Sequence, residues 1–303
     1  MPGLIMESAL ATTLKETLGT IVDDPTDGLE NKALYNKWCD VREMYDAWEE
    51  DLEVAGPGYA TEQYEGKEIS TGSLTEGYTT RYIARKFGLK LVITEETLED
   101  SKYPEAIKCA RRLKRALWKA VDLDSTFMLM RGFNTSYVGG DGQCLWSTSH
   151  TLTGGGTFAN TPTVHMSPCR AAVIDHVAAM KKMPGHDGTP EGVSPKTVVC
   201  PVEQWAVWDG LILSKFAPDP GVYNEINVVN RLNINVVPNM YWSNTETNYC
   251  YITDAENGLN FRWKRRPRGR AWTDNSQEIM FYSNTARWSR GWSDPRGTYG
   301  VNA

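Results

Sequence analysis

Apolar residues recur at intervals of three and four through Ile107, Ala110, Leu113, Leu117, Ala120 or Val121, and Phe127 or Met128. That spacing is the stripe of an amphipathic helix. Asp100 and Ser101 are suitable N-caps, Pro104 suits a first turn and Gly132 a stop, so the pattern predicts one helix over residues 101–131. At about 1.5 Å per residue it forms a rod of roughly 40 Å. Its opposite face carries Lys108, Arg111, Arg112, Lys114, Arg115 and Lys119, a side for water, a partner chain or a polyanion. No heptad is sustained, charges break every apolar run and no second copy occurs, so coiled coil, membrane span and repeat do not explain the length. What remains is a backbone helix across which a mixed α/β domain is laid.

Upstream, Leu10, Leu14 and Leu18 lie at helical spacing, and the acidic cluster at 23–28 reads as a turn. Tyr35, Trp38, Val41, Met44, Tyr45 and Trp48 again repeat at three and four, predicting a helix with an acidic second face. Such an apolar stripe ahead of the main core needs a partner surface. From Tyr59 to Ile93 the pattern turns to short β-like runs broken by Gly66, Gly72 and Gly77. "YTTRYIARKFGLKLVI" has the partial alternation of a strand. A hairpin with small residues at its tip buries little alone, so it is either a disordered excursion or an arm that packs elsewhere. Gly66, Lys67 and Gly72 mark its candidate tip.

Downstream, Ser167-Pro168 caps a helix to about Met183 with an apolar face of Ala171, Ile174, Val177 and Ala178. "KTVVCP" reads as a buried strand, "VEQWAVWDGLILS" as a helix, and "LNINVVPNM" and "NYCYITDA" as strands, a compact α/β unit. "LNFRWKRRPRGRAW" and "QEIMFYSNTARWSRGW" read as long returning strands under the helix.

At 303 residues, 41% hydrophobic and 23% charged, the chain is of soluble globular type, with a prior of about two domains. Its net charge of −6 hides a gradient: residues 1–100 hold 9 Lys and Arg against 21 Asp and Glu, and the remainder 23 against 17. An acidic head and basic tail suggest association between copies, although a solvated acidic segment gives the same count. The six cysteines are scattered without C-x-x-C, as reduced thiols are. No signal peptide and no membrane-spanning run is expected.

Catalytic motifs are weak. Gly154-Gly155-Gly156 lacks a following G-K-[ST], and His150 beside Ser147 and Ser149 lacks G-x-S-x-G. His165, His176 and His186 are ten or more residues apart without ligand-spaced partners, so no metal and no cofactor is expected. The basic run Arg262, Lys264, Arg265, Arg266, Arg268 and Arg270, interleaved with Phe261, Trp263 and Trp272, is stronger. Alternation puts Arg262, Lys264 and Arg266 on one face. Three readings are open: a seam against acidic residues of a neighbour's arm, a charge-protected edge strand, or a surface for packaged DNA.

The order "VITEETLEDSKY", basic-faced helix, "DGQCLWSTSHTLTGGGTFANTP" resembles the major capsid proteins of tailed bacteriophages, particularly the Mu-like head-subunit branch, and the C-terminal third extends the match. The resemblance implies an α+β fold with an N-terminal arm at 1–55 and an extended β-hairpin loop at 56–93. A peripheral domain follows over 94–191 with its spine helix, then an inserted axial domain at 192–253, return strands at 254–291 and a C-terminal tail at 292–303. In that family the arm reaches adjacent subunits, making Tyr35, Trp38, Tyr45 and Trp48 candidate arm contacts, and the loop lies over a neighbour. Some relatives crosslink through a loop lysine, but neither an acceptor nor an activating carboxylate for Lys67 is identified. The implied function is structural and not enzymatic. Copies form pentamers and hexamers of an icosahedral shell around double-stranded DNA, assembled in the bacterial host cytoplasm and retained in the virion. Its partners are other copies, a separate scaffolding protein, a portal and, where one exists, a decoration protein; no membrane is involved. Only about 55 residues precede the loop, so no large cleavage is expected. The alternatives are an encapsulin-type compartment of the same fold, or an aromatic-rich carbohydrate-binding module or glycosidase, which needs paired carboxylates.

Overall fold

The computed structural model describes residues 28–56, 58–69, 71–72, 74–94, 103–216, 226–242, 248–253, 257–274 and 279–302. The predicted helix around Leu10–Leu18, the acidic cluster before Gly28 and the caps Asp100 and Ser101 lie outside them.

The long helix is present as α1, Tyr103–Met130. It lies across a four-stranded sheet ordered β1-β10-β11-β4, with β1 at Asp40–Glu43, β4 at Arg85–Thr94, β10 at Leu259–Asp274 and β11 at Ile279–Trp292. Along β11, Met280, Tyr282, Asn284, Ala286 and Trp288 are buried while the residues between them are half-buried, as period-two alternation requires. Ala110 and Leu113 of α1 cluster with Ile93, Met280 and Tyr282. Leu117, Trp118, Val121, Met128 and Leu129 join Tyr35, Trp38, Phe261, Trp263 and Trp288. The predicted stripe is thus the buried one. On the basic face Lys108, Arg111, Arg112, Arg115 and Lys119 are exposed, but Lys114 is buried.

The predicted helix through Tyr35–Trp48 is absent. A 3-10 turn at Leu34–Lys37 is followed by β1, parallel to β10, and then by β2, Trp48–Ala55. The carboxylate of Asp122 on α1 accepts the backbone N–H of Leu34 at 2.7 Å and of Tyr35 at 3.4 Å. The open edge of β10 offers Asp40–Glu43 a backbone ladder from Asn260 to Trp263. These tertiary partners override the helical periodicity.

β2 pairs antiparallel with β3, Thr75–Ile83, and β3 passes into β4 with only Ala84 between. The hairpin therefore begins at Trp48, inside the stretch expected to be arm.

After a short pair in the glycine-rich loop, β5 at His150–Thr151 and β6 at Thr157–Phe158, the second sheet is ordered β12-β9-β7-β8, with β7 at Thr197–Pro201, β8 at Asn235–Asn239, β9 at Tyr249–Ile252 and β12 at Thr298–Val301. Two helices accompany it: α2, Arg170–Lys181, and α3, Trp205–Leu213. α2 starts later than predicted, capped by Cys169 rather than Ser167. The expected tail departs from expectation more strongly, because β12 is buried throughout and pairs with β9. "TYGV" is a strand because β9 offers it an edge, which composition does not reveal.

His176 of α2 lies in this core beside the rings of Tyr249, Tyr251 and Tyr299. Burial pushes its imidazole down from 6.5 to about 4, while Asp175 acts in the opposite sense and His165 in the same one. The unfolded chain takes up a proton below about 6.5 that the folded chain refuses until about 4. Stability is therefore lost as pH falls through that window, by up to about 3 kcal/mol. Denaturant unfolding of the wild type between pH 7 and 4 should show this slope, and His176→Phe should flatten it. An unchanged slope in the variant would place the proton uptake elsewhere.

Candidate assembly surfaces

The candidate arm contacts separate into two groups. Tyr35 and Trp38 are buried in this chain's own core, where the Tyr35 ring lies tilted against Phe261 with centroids 4.6 Å apart and its hydroxyl accepts from the Trp263 indole N–H at 3.3 Å. They are not a stripe awaiting a neighbour. Tyr45 is 82% and Trp48 50% exposed, and both remain available.

The basic strand also divides. Arg262 is buried and reaches Glu49 Oε2 at 2.8 Å and Asp51 on β2, with its guanidinium 4.1 Å from the Tyr82 ring centroid. Burial opposes its charge, but Asp51 and Glu49 outweigh that and hold Arg262 above the ordinary guanidinium value. Arg266 pairs with Glu43 at 2.8 Å and with Glu30, and the Lys264 amine donates to the Tyr45 carbonyl. For Arg262 and Arg266 the acids come from residues 30–51 of the same chain, and Lys264 meets a backbone carbonyl of that stretch, so the partners seen for these three are internal.

Arg265, Arg268 and Arg270 behave differently. The register puts Arg265 opposite Arg287, which is opposite Lys86; Arg268 opposite Thr285; and Arg270 opposite Ser283, itself opposite Lys90. Directly opposed residues share a face, so six cations stand on the side of the sheet away from α1. The Arg265 guanidinium donates to Thr285 Oγ1 at 2.8 Å, and Lys90 sits 4.1 Å from the Phe281 ring centroid. Burial, then the fields of Arg270, Arg287 and Arg268, push Arg265 below its ordinary value. Lys86, Lys90 and Arg287 were not among the sequence candidates. Strand parity in "RKFGLKLVIT" and "TARWSRG" carried the signal, but the register that aligns the three strands is a tertiary property.

The hairpin is the other exposed surface. Gly66 adopts φ +82° in a turn closed by the Lys67 N–H on the Tyr64 carbonyl at 3.1 Å, and the Lys67 amine lies 5.8 Å from the Tyr64 ring centroid. A left-handed residue is needed there, and glycine supplies it without strain. Gly72 lies further along the same exposed stretch. Leu52, Val54, Tyr59, Tyr64, Ile69, Leu74 and Ile83 are all exposed.

An ionic knot fastens the hairpin to the body. Arg296 reaches Glu53 on β2 at 2.7 Å, Asp294 at 2.7 Å and Glu191 at 2.9 Å, and Glu53 also pairs with His186. Burial works against the charged guanidinium, but Asp294, Glu191 and Glu53 outweigh it. Nearby, Asn160 ties the glycine-rich loop to the C-terminal segment. Its amide donates to the carbonyls of Leu145 at 2.7 Å and Pro295 at 3.1 Å, and its backbone carbonyl accepts the Gly300 N–H at 3.1 Å.

His150 is fully buried, bonded to Asp141 at 2.5 Å and to Asn160 at 3.2 Å, while the Ser147 hydroxyl turns to Gln143 at 3.3 Å. Both ring nitrogens are engaged in holding the loop, so this pair has no nucleophile to activate. A cleft of about 410 Å³ lies between β3, residues 137–140 and β11. On its walls Arg81 is matched by Glu50 and Arg290 by Asp124. Trp38, Trp146, Trp208, Trp263 and Trp288 are in the core, so these aromatics do not form a sugar platform.

Solved structures share this fold. The chain aligns with the capsid structure of cyanophage P-SCSP1u at TM-score 0.56 and 11% identity, over 89% of this chain and 88% of that one. It aligns with the procapsid of bacteriophage JBD30 at TM-score 0.52 and 12% identity, over 100% and 76%. It aligns with a virus-like particle from Pyrococcus furiosus at TM-score 0.55 and 9% identity, over 96% and 98%. No family model matches the sequence, and no curated protein matches it. The likeness is one of fold: an α+β arrangement shared with these capsid structures over nearly the whole chain.

Proposed function

We propose that this chain is a major capsid subunit of a tailed-phage particle, whose copies form pentamers and hexamers of an icosahedral shell enclosing double-stranded DNA. The observation that carries this reading is the agreement of fold, along 89–100% of the chain, with a phage capsid and a phage procapsid. The surface supports it. A two-stranded hairpin with eight exposed large apolar side chains, Trp48 among them, gains little stability in water by itself, and its stabilisation comes from contact with other copies. No catalytic residue is assigned. A separate scaffolding protein, a portal and, where present, a decoration protein complete the set of partners, and the mature location is the virion. The domain division follows the sequence assignment, with the hairpin extended back to Trp48 and Thr298–Val301 joined to the second sheet.

A second reading, an encapsulin-type compartment of the same fold, is not favoured over the first, because the virus-like particle shares the fold at 9% identity as the phage structures do at 11% and 12%. Particle contents separate the two. Nuclease-protected double-stranded DNA in particles from infected cells supports the capsid, and a stoichiometric protein cargo without DNA overturns it in favour of the compartment.

A further inference from the structure

One face of α1 is a bare cationic stripe. Lys108, Arg111, Arg112, Arg115 and Lys119 are all exposed, while Ala110, Leu113, Leu117 and Trp118 among them are buried. At about 100° per residue the five fall within an arc of roughly 100°, and at about 1.5 Å per residue they extend along about 16 Å of rigid helix. From Lys108 to Lys119 the sequence contains no acidic residue. The two acids further along α1 are engaged elsewhere, Asp122 by the Leu34 and Tyr35 N–H groups and Asp124 by Arg290 and the Trp288 indole. Among the described residues no acid pairs with any of the five.

A helix face that meets only water mixes acids and cations at spacings of three and four, because opposite charges there support the helix and like charges oppose it. Here those neighbours are cation to cation: Lys108 with Arg111 and Arg112, Arg115 with Arg111 and Arg112, and Arg115 with Lys119. Helix stability argues against this arrangement; an anionic partner explains it.

Spacing and composition select that partner. A DNA duplex carries one negative charge per about 1.7 Å of axis, so about 16 Å of it holds about ten phosphates, roughly five of them on the near side. Five cations on a straight rod match that number. No large apolar side chain is exposed between Lys108 and Lys119, so a purely ionic partner leaves nothing uncovered. The outer sheet face differs, because Lys90 lies on the Phe281 ring, and exposed Val92 and Trp272 stand in the same row as Phe281. Phosphates would leave those apolar groups in water. We infer that the basic stripe of α1 binds the phosphate backbone of duplex DNA without regard to sequence, and that it marks the side of the subunit turned to the lumen. This rests on the shell-forming reading and names the surface that meets the enclosed DNA. The same weak contact repeated over many copies holds the duplex without strong binding by any one of them.

Fluorescence anisotropy of the unassembled full chain with a labelled duplex of about 20 base pairs, read across salt concentrations, tests it. The wild type should show log affinity falling against log salt with a slope of about −4 to −5, at about −0.9 per phosphate neutralised. Arg112→Gln, Arg115→Gln and Lys119→Gln together should weaken binding about tenfold or more near about 0.1 M salt and take about 3 off the slope. The charge-retaining set Arg112→Lys, Arg115→Lys and Lys119→Arg should keep the slope. Lys86→Gln, Arg268→Gln and Arg270→Gln, on the outer sheet face, should bind within about twofold of wild type. Circular dichroism with thermal unfolding reads the fold of each variant. Salt-independent or absent binding by the wild type overturns the proposal, as does unchanged binding by the folded glutamine variant of α1. An equal loss from the sheet-face variant overturns the assignment to α1. Polyglutamate that binds as tightly as the duplex overturns it in favour of an acidic protein partner. Loss of particles by the folded α1 variant also overturns it, by making the stripe a contact between subunits. Absence of particles from wild-type protein that binds the duplex as expected rejects the shell-forming reading instead, and leaves the DNA contact standing.

Discussion

Arg296→Ala is expected to destabilise the folded subunit by about 3 kcal/mol, at the low end for breaking a buried pair, because Glu53 is nearly buried while Asp294 and Glu191 keep access to water. The side chain is only 8% exposed and its guanidinium is divided among Glu53, Asp294 and Glu191. Truncation leaves Glu53, 12% exposed, with His186 as its remaining side-chain partner among these contacts. The three carboxylates come from β2, the loop after α2 and the turn before β12, so the loss should loosen the hairpin base, that loop and the C-terminal edge strand together. Denaturant unfolding of the unassembled subunit measures the loss, and hydrogen exchange should locate it in Trp48–Ala55 and Thr298–Val301. Adding Glu53→Gln should recover part of the stability, because it removes one of the stranded charges. A change below about 1 kcal/mol would mean that water replaces the arginine at little cost, as it does for exposed pairs.

Shortening the hairpin should have the opposite signature, with the fold intact and assembly lost. Every described residue from Gly56 to Leu74 is exposed, and the partners Ala55 and Thr75 face each other across the ladder. Replacing 56–74 by Asn-Gly, which favours the tight turn that antiparallel strands require, should leave thermal unfolding within about 0.5 kcal/mol of wild type, as surface changes do. Sedimentation should nevertheless show particles reduced by at least about tenfold, because the proposed function assigns the exposed apolar and acidic tip to contact with neighbours. Normal particles from the shortened chain would show that the tip is decoration rather than contact.

Legibility of the chain in its sequence followed locality. The spine helix could be read because its stripe is buried chiefly against the first sheet, with the second sheet meeting its C-terminal half, and period 3.6 survives in the sequence when one stripe does the burying. β7, α3, β8 and β9 could be read for similar reasons. The Tyr35–Trp48 stretch misled because its three-and-four spacing is real, but Tyr35 and Trp38 reach the core from a 3-10 turn and Met44 from the end of a strand. What decides there is the free edge of β10 and the Asp122 carboxylate, both more than 80 residues away. The basic run was visible as composition. Its division into Arg262 and Arg266, paired with acids, Lys264, bonded to a carbonyl, and Arg265, Arg268 and Arg270, without an acid partner among the described residues, accompanies the irregular register between Trp263 and Arg268, which alternation alone does not foresee.

Electron microscopy of the protein expressed alone and with its genomic neighbours tests the central claim most directly. The account predicts closed shells, tubes or capsomer rings of uniform wall. A folded protein that remains monomeric under both conditions would contradict it and leave only the shared fold.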